Sequence, residues 1–222
     1  LVVPLIHFVL FSYLPMGRMQ RTLSPAASAA CGQFILVEPG AYFAAGGHEA
    51  FKASMHDGVQ MPRALRRAGH RTDLFDGTDL VSVRMYRGAR EVWRGFTKNA
   101  YEGLGSLGLL IFITLLHAVG HVLPWAVLLG TGVDYLARLS SGAFTTLDEF
   151  DRGAGVSRLV ALAGACVAVH VLQRAILARR FRQSWAGVCL HPLTLVLLAA
   201  IQWWSLVLHL RGRRTWRGRT QG

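Results

Sequence analysis

The sequence has 222 residues, of which 52% are hydrophobic and only 16% are charged. That balance is too apolar for an ordinary soluble domain of this length and predicts membrane-spanning segments. The net charge of +12 is typical of basic residues that flank spans and contact anionic head groups, and we prefer this explanation to nucleic-acid binding.

The first part of the chain mixes apolar and polar patterns. It opens on the apolar run LVVPLIHFVLFSYLP without a Met, a basic start or a cleavage site, and we interpret this start as a cut through a longer protein or as a reading frame assigned from too late a start. FILVE, residues 34–38, predicts a short buried strand that Pro39 and Gly40 end. AYFAAGG, residues 41–47, predicts a short helix closed by glycine.

The next segments predict two helices separated by strands. PRALRRAG predicts a helix over 62–69, with Pro62 in its first turn. TDLFD and DLVSVRMY, within 72–86, predict two strands. AREVWRGFTKNAYEGL, residues 89–104, is amphipathic and basic, which is typical of an interfacial helix on a membrane surface.

From residue 104 to residue 222 the sequence predicts an α-helical transmembrane domain. Its long uncharged runs predict about three spans with a basic tail behind them, at 105–130, 156–176 and 186–209. Gly120 and Pro124 are candidates to break the first run into a hairpin.

The charge of the loops bears on orientation. The loop 134–152 is acidic and the loop 174–182 is rich in arginine, so the positive-inside rule places the second loop in the cytoplasm. With three spans, however, the arginine-rich tail after Leu210 falls on the other side. The patterns therefore leave the orientation open.

Residues 30–99 carry four landmarks in order. They are the small-residue turn ACGQF, the aromatic-Gly-Gly helix end YFAAGG, the pair His56-Asp57 before a helix, and RRAGHR at the end of that helix. Together with TWRGR at 215–219, they resemble the second half of the catalytic domain of membrane-anchored family-2 glycosyltransferases, with the closest likeness to the hopanoid- and carotenoid-associated branch.

The resemblance implies a fold. Residues 1–103 are expected to form the acceptor-side half of an α/β, Rossmann-like GT-A domain, with the helical transmembrane domain after it. It also implies an inverting transfer of a sugar from a nucleotide-sugar donor to a lipid or isoprenoid-type acceptor at the membrane. The expected location is the plasma membrane, with the catalytic part in the cytoplasm.

The acidic pair carries the implied chemistry. In the family the usual pair is Glu-Asp and its Asp is the general base, so the role falls here on Asp57, with His56 orienting it or binding a phosphate. The plain alternatives are that Asp57 only caps the following helix and that His56 is an exposed turn residue.

The remaining candidate residues are expected to bind substrate. Gly32, Gln33 and Phe34 are expected to line the acceptor pocket, and their alternative is a tight turn before a strand. Arg84 and Arg87 are further candidates; Arg87, together with Arg90, is expected near a diphosphate, and the alternative is a head-group contact on the membrane. The family's Q-x-x-R-W motif does not occur in this sequence.

Cofactor and partner expectations follow from the resemblance. A divalent Mg or Mn ion is expected with the donor in the full-length enzyme, but its D-x-D motif does not occur in this sequence, so no metal ligand is assigned in the chain. The expected partners are the lipid acceptor and the membrane, with no nucleic acid. The oligomeric state is not predicted.

Two other functions fit the composition. The chain could be a truncated membrane anchor or interaction protein without catalytic activity. It could also bind haem, because four histidines, His117, His121, His170 and His191, lie in apolar runs, although packing is the more common role of such residues.

Overall fold

The structure, a computed structural model, describes residues 1–54, 56–142, 147–212, 214–216 and 219–221. Helices make up 69% of it. In the described part of the chain, one sheet occurs, the antiparallel hairpin of β1 (Arg214–Trp216) and β2 (Arg219–Gln221). Residues 217 and 218 of the TWRGR motif and residues 143–146 of the loop 134–152 lie outside the described residues.

The predicted α/β fold class is therefore wrong. Residues 35–38 of the predicted strand FILVE have no regular structure, and Phe34 makes an isolated bridge to Cys31 instead. Residues 72–86 contain turns and irregular backbone in place of the two predicted strands. A strand is stable only beside another strand that completes its hydrogen bonds, and neither segment has such a neighbour in the described part of the chain.

The chain divides into two compact units, the first of them made of Leu5–Leu110 and Ala200–Gly222. It begins with α1 (Leu5–Tyr13) and α2 (Met16–Arg21). A small core of Ala41, Met61 and Leu65 follows, between α3 (Pro39–Ala44) and α4 (Asp57–Arg67). The helix predicted at 41–47 is thus confirmed with a start two residues earlier, and Gly46 ends it with a left-handed backbone at φ 77°.

Helix α4 starts at Asp57, five residues before the predicted start at Pro62. Proline has no backbone N–H, so the carbonyl of Gly58 has no helical donor four residues later. That carbonyl instead accepts the N–H of Ala30 at 2.7 Å. The proline inside the helix thereby ties the turn at 30–34 to the first turn of α4.

A buried arginine fixes the end of the same helix. Arg66 is 2% exposed, and its guanidinium donates to the carbonyls of Met19, Thr22 and Thr72 at 2.7 Å each. Its Nε donates to the Thr72 hydroxyl at the same distance. Because a buried charge is tolerated only when its donors are satisfied, these bonds hold α2, α4 and the loop at 72 together.

The predicted helix at 89–104 is two helices, α5 (Ala89–Thr97) and α6 (Ala100–Leu104). The break falls at Lys98 and Asn99. In α6 the backbone N–H of Tyr101 donates to the hydroxyl of Ser205 at 3.0 Å.

The second unit consists of Leu1–Pro4 and Ile111–Ala199. Three helices in the described residues are long and apolar enough to cross a membrane, which supports the predicted transmembrane character. They are Leu107–Ser140, Gly155–Arg180 within α10 (Leu147–Arg180), and His191–Leu210, which is α12 after the short α11 (Ala186–Cys189).

The first of these helices is continuous where a hairpin was considered. It comprises α7 (Leu107–His117), α8 (Leu123–Val127) and α9 (Val133–Ser140), joined by π-helical turns at Ala118–Val122 and Leu128–Gly132. Pro124 removes a backbone donor, and the wider π turn directly before it accommodates that loss without a reversal.

Candidate functional site

The candidate site lies where the turn at 30–34 meets the start of α4. The bond from Ala30 to Gly58 fixes the turn against the helix, and the N–H of Phe34 closes it on the Cys31 carbonyl at 2.9 Å. Gly58 is packed so closely there that a Cβ on it would lie 2.6 Å from the Ala30 carbonyl oxygen. These contacts give the first residues of α4 a fixed position.

The structure brings two of the predicted site residues, Gly32 and Asp57, into contact. A Cβ on Gly32 would lie 2.4 Å from Asp57 Oδ1, so only glycine leaves room for the carboxylate as it stands. Oδ1 accepts the N–H of Gly58 at 2.8 Å, and the Asp57 side chain is exposed.

His56 precedes the helix and is half-buried. Its backbone N–H donates to the hydroxyl of Ser54 at 3.0 Å, and that hydroxyl donates to the carboxylate of Glu102. The His56 ring packs so closely on α6 that a Cβ on Gly103 would lie 3.1 Å from it. A residue far along the chain thus supports the segment before Asp57.

Burial lowers the pKa of His56, although the nearby carboxylates of Glu102 and Asp57 act to raise it. Burial is the larger effect because it removes water from the charged imidazolium. The ring is therefore held neutral at neutral pH, with one nitrogen available to accept a hydrogen bond or a proton.

The other predicted site residues lie on exposed segments. The Gln33 amide oxygen accepts the Cys31 thiol at 3.0 Å, and the Phe34 ring meets the edge of Phe75 at 6.3 Å between centroids. Arg84 and Arg87 are exposed in the irregular segment before α5.

A concavity of about 390 Å³ borders the same turn at Ala30. Its lining combines apolar residues, among them Ile35, Met61 and Leu65, with polar and charged ones, namely Glu38, His70, Arg71, Thr72 and Asp73. The volume falls in the range of small-ligand pockets.

Three residues that support the candidate site and α4 were not predicted from the sequence. Ser54 and Glu102 are 48 residues apart, and no local pattern links them. Arg66 belongs to the RRAGHR motif, but its neighbour Arg67 is exposed, and the sequence does not show which of the two is buried. The helical spacing of Arg66 after Met61 and Pro62, both buried, was the available signal.

Comparison with known protein families, with curated proteins and with solved structures found no match for this chain.

Proposed function

We propose that the protein acts in a membrane-bound glycosyl transfer in which Asp57 deprotonates the hydroxyl group of a lipid acceptor. The observation that supports this most is the packing of Gly32 against the Asp57 carboxylate, which is exposed at the start of α4 and oriented by the N–H of Gly58. An exposed, oriented carboxylate is what a general base for an incoming hydroxyl requires.

The proposed step is a single displacement. The acceptor oxygen forms a bond to the anomeric carbon, while the bond from that carbon to the diphosphate oxygen breaks. The nucleoside diphosphate leaves with the electron pair, and the proton of the hydroxyl passes to Asp57. The neutral His56 beside it can orient the carboxylate.

The proposal concerns the acceptor side and does not depend on a β-sheet. The donor and its divalent ion need ligands that this sequence does not provide, because it has no D-x-D motif. The three apolar helices support placing the reaction at a membrane. The plasma membrane and a cytoplasmic site remain part of the proposal.

The second candidate is a membrane anchor or interaction protein without catalytic activity. It is favoured by one observation, the lack of a sheet other than the β1–β2 hairpin in the described part of the chain. Nucleotide-sugar transferases of the GT-A type bind the donor at the edge of a central parallel sheet. A helical chain without that sheet is poorly suited to bind the donor by itself.

The test is the change Asp57→Asn in the complete protein. Transfer of a labelled sugar from nucleotide donors to membrane lipids is measured in vesicles. We expect the rate to fall at least about 100-fold, because a general base contributes that much or more. Asp79→Asn, which neutralises an exposed carboxylate of the same unit, should leave the rate unchanged.

Two results would decide against the proposal. An unchanged rate in the Asp57→Asn variant would remove Asp57 from the mechanism. A wild-type protein that transfers no sugar from any nucleotide donor would support the anchor instead.

A further inference from the structure

Four histidines from three membrane helices form one group, here named the histidine cluster: His117, His121, His170 and His191. The first two lie on the helix Leu107–Ser140, the third on α10, and the fourth begins α12. The ring of His121 is central, with centroids 4.3 Å from His170, 5.5 Å from His191 and 5.8 Å from His117. The sequence shows His117 and His121 in one apolar run and His170 and His191 in two others, and it does not show that they meet.

Two ring nitrogens of the cluster have the spacing of metal ligands. Nε2 of His191 lies 3.4 Å from Nδ1 of His121, and the two rings share a hydrogen bond there that an ion would replace. Two nitrogens that bind one tetrahedral zinc ion, each at about 2.0–2.1 Å, are separated by about 3.4 Å. The pair therefore already has the edge length of a tetrahedral site.

His170 supplies an independent indication. It is 8% exposed, and its Nδ1 has no hydrogen-bond partner among the residues that the structure describes. A buried polar nitrogen without a partner is costly, and binding an ion would satisfy it. Its ring already stacks on that of His121.

We propose that the histidine cluster binds one divalent transition-metal ion of the zinc type. His121 and His191 are the first two ligands, His170 is the third, and water completes the coordination. In the described part of the chain no three such side chains are yet arranged around one point. The ion must therefore turn the His170 ring out of its stack. Binding would join the three membrane helices.

The chemistry of the ligands selects the ion. Imidazole nitrogen suits Zn²⁺, Cu²⁺ and Ni²⁺, whereas Mg²⁺ and Mn²⁺ prefer oxygen ligands. This site is therefore separate from the Mg or Mn ion expected with a sugar-nucleotide donor, and it does not rest on the proposed function.

The experiment titrates the complete protein, purified in detergent without a histidine tag, with Co²⁺. A tetrahedral site gives visible d–d absorption that saturates at one ion per chain and disappears when Zn²⁺ is added. We expect His121→Gln and His191→Gln to lose this signal and His170→Gln to weaken Co²⁺ binding at least about tenfold. The control His209→Gln changes a histidine near the other end of α12, and it should bind Co²⁺ as the wild type does.

A second measurement avoids variants that fail to fold. Diethyl pyrocarbonate modification of the wild-type protein, read by mass spectrometry, should be suppressed by Zn²⁺ at His121, the half-buried ligand, and unaffected at the exposed His209. Equal modification with and without Zn²⁺, or the lack of a saturating Co²⁺ signal in folded wild-type protein, overturns the proposal. A Soret band in the purified protein also overturns it, because the histidines would then bind haem iron.

Discussion

At the scale of single residues, two glycines beside Asp57 are expected to respond differently to the same substitution. A Cβ on Gly32 would meet the end of the Asp57 side chain, which can swing away at little cost in stability. A Cβ on Gly58 would meet the Ala30 carbonyl, a backbone atom that cannot swing. The first change therefore tests the position of the carboxylate, and the second tests the packing of the turn.

We predict that Gly32→Ala lowers sugar transfer by about 10- to 100-fold, because a displacement of about 1 Å at a reacting group has such an effect. Its unfolding free energy should change by less than about 1 kcal/mol, whereas Gly58→Ala should lose about 1–3 kcal/mol. The measurements are vesicle transfer rates and thermal unfolding in detergent.

Gly17→Ala is the matched control, since nothing lies within 4 Å of a Cβ at that position. It should leave both the transfer rate and the stability near wild-type values. Full transfer by Gly32→Ala would show that Asp57 does not work from the position seen in the structure.

Some single residues of the site can be predicted from the sequence and others cannot. Gly32 and Asp57 could be chosen because a glycine turn and an acid at a helix start are local patterns, although their roles stay predictions. The bond from Ser54 to Glu102 could not be chosen, because it depends on how α6 packs. The burial of Arg66 depends likewise on α2 and the loop at 72.

At the scale of elements, helices were predictable and strands were not. The helix at 41–47 and the membrane helices follow from periodicity, glycine ends and long apolar runs, which are properties of the segment itself. A strand needs a partner elsewhere in the chain, and FILVE has only the bridge from Phe34 to Cys31. The early start of α4 was missed because the carbonyl that Pro62 leaves unsatisfied is bonded by Ala30, outside the helix.

Helix α3 should depend on pH through its cap. The Glu38 carboxylate accepts the N–H of Gly40 at 2.9 Å and that of Ala41 at 2.6 Å, and these bonds lower its pKa below the ordinary value of 4.5. A lowered pKa in the folded state stabilises the helix above pH 4.5. This stabilisation is lost as the pH falls through the lowered value.

We predict that amide protons of residues 39–46, measured by hydrogen exchange and corrected for intrinsic rates, are more protected at about pH 6 than at about pH 3. Glu38→Gln should lower the protection at the higher pH and remove most of this difference. Glu49→Gln, which changes an exposed acid paired with Lys52, should keep it. A difference that persists in Glu38→Gln would mean that another group controls the helix.

At the scale of the whole molecule, the number of crossings decides on which face the chain ends. If each of the three membrane helices crossed once, Leu107 and Leu210 would lie on opposite faces, about 30 Å apart. Tyr101, shortly before the first helix, nevertheless bonds Ser205 at 3.0 Å, and its ring lies 5.1 Å from that of His209. Because Tyr101 precedes the first membrane helix, these contacts place the end of α12 beside the start of that helix.

We therefore predict that Arg90 and Arg211 are on one face of the membrane and Ser140 is on the other. Each is replaced singly by cysteine in a protein whose own cysteines, Cys31, Cys166 and Cys189, are serine, and each is labelled in sealed vesicles with an impermeant maleimide. In vesicles of one orientation, Arg90→Cys and Arg211→Cys should both be labelled, and Ser140→Cys should be labelled only after the membrane is opened. In inverted vesicles, Ser140→Cys alone should be labelled before the membrane is opened. With Arg211 on the face of Arg90, the basic tail no longer conflicts with the positive-inside rule as it does in a three-crossing chain. Labelling of Arg211→Cys together with Ser140→Cys would instead mean that α12 crosses completely and that its contacts with Tyr101 do not form in the bilayer.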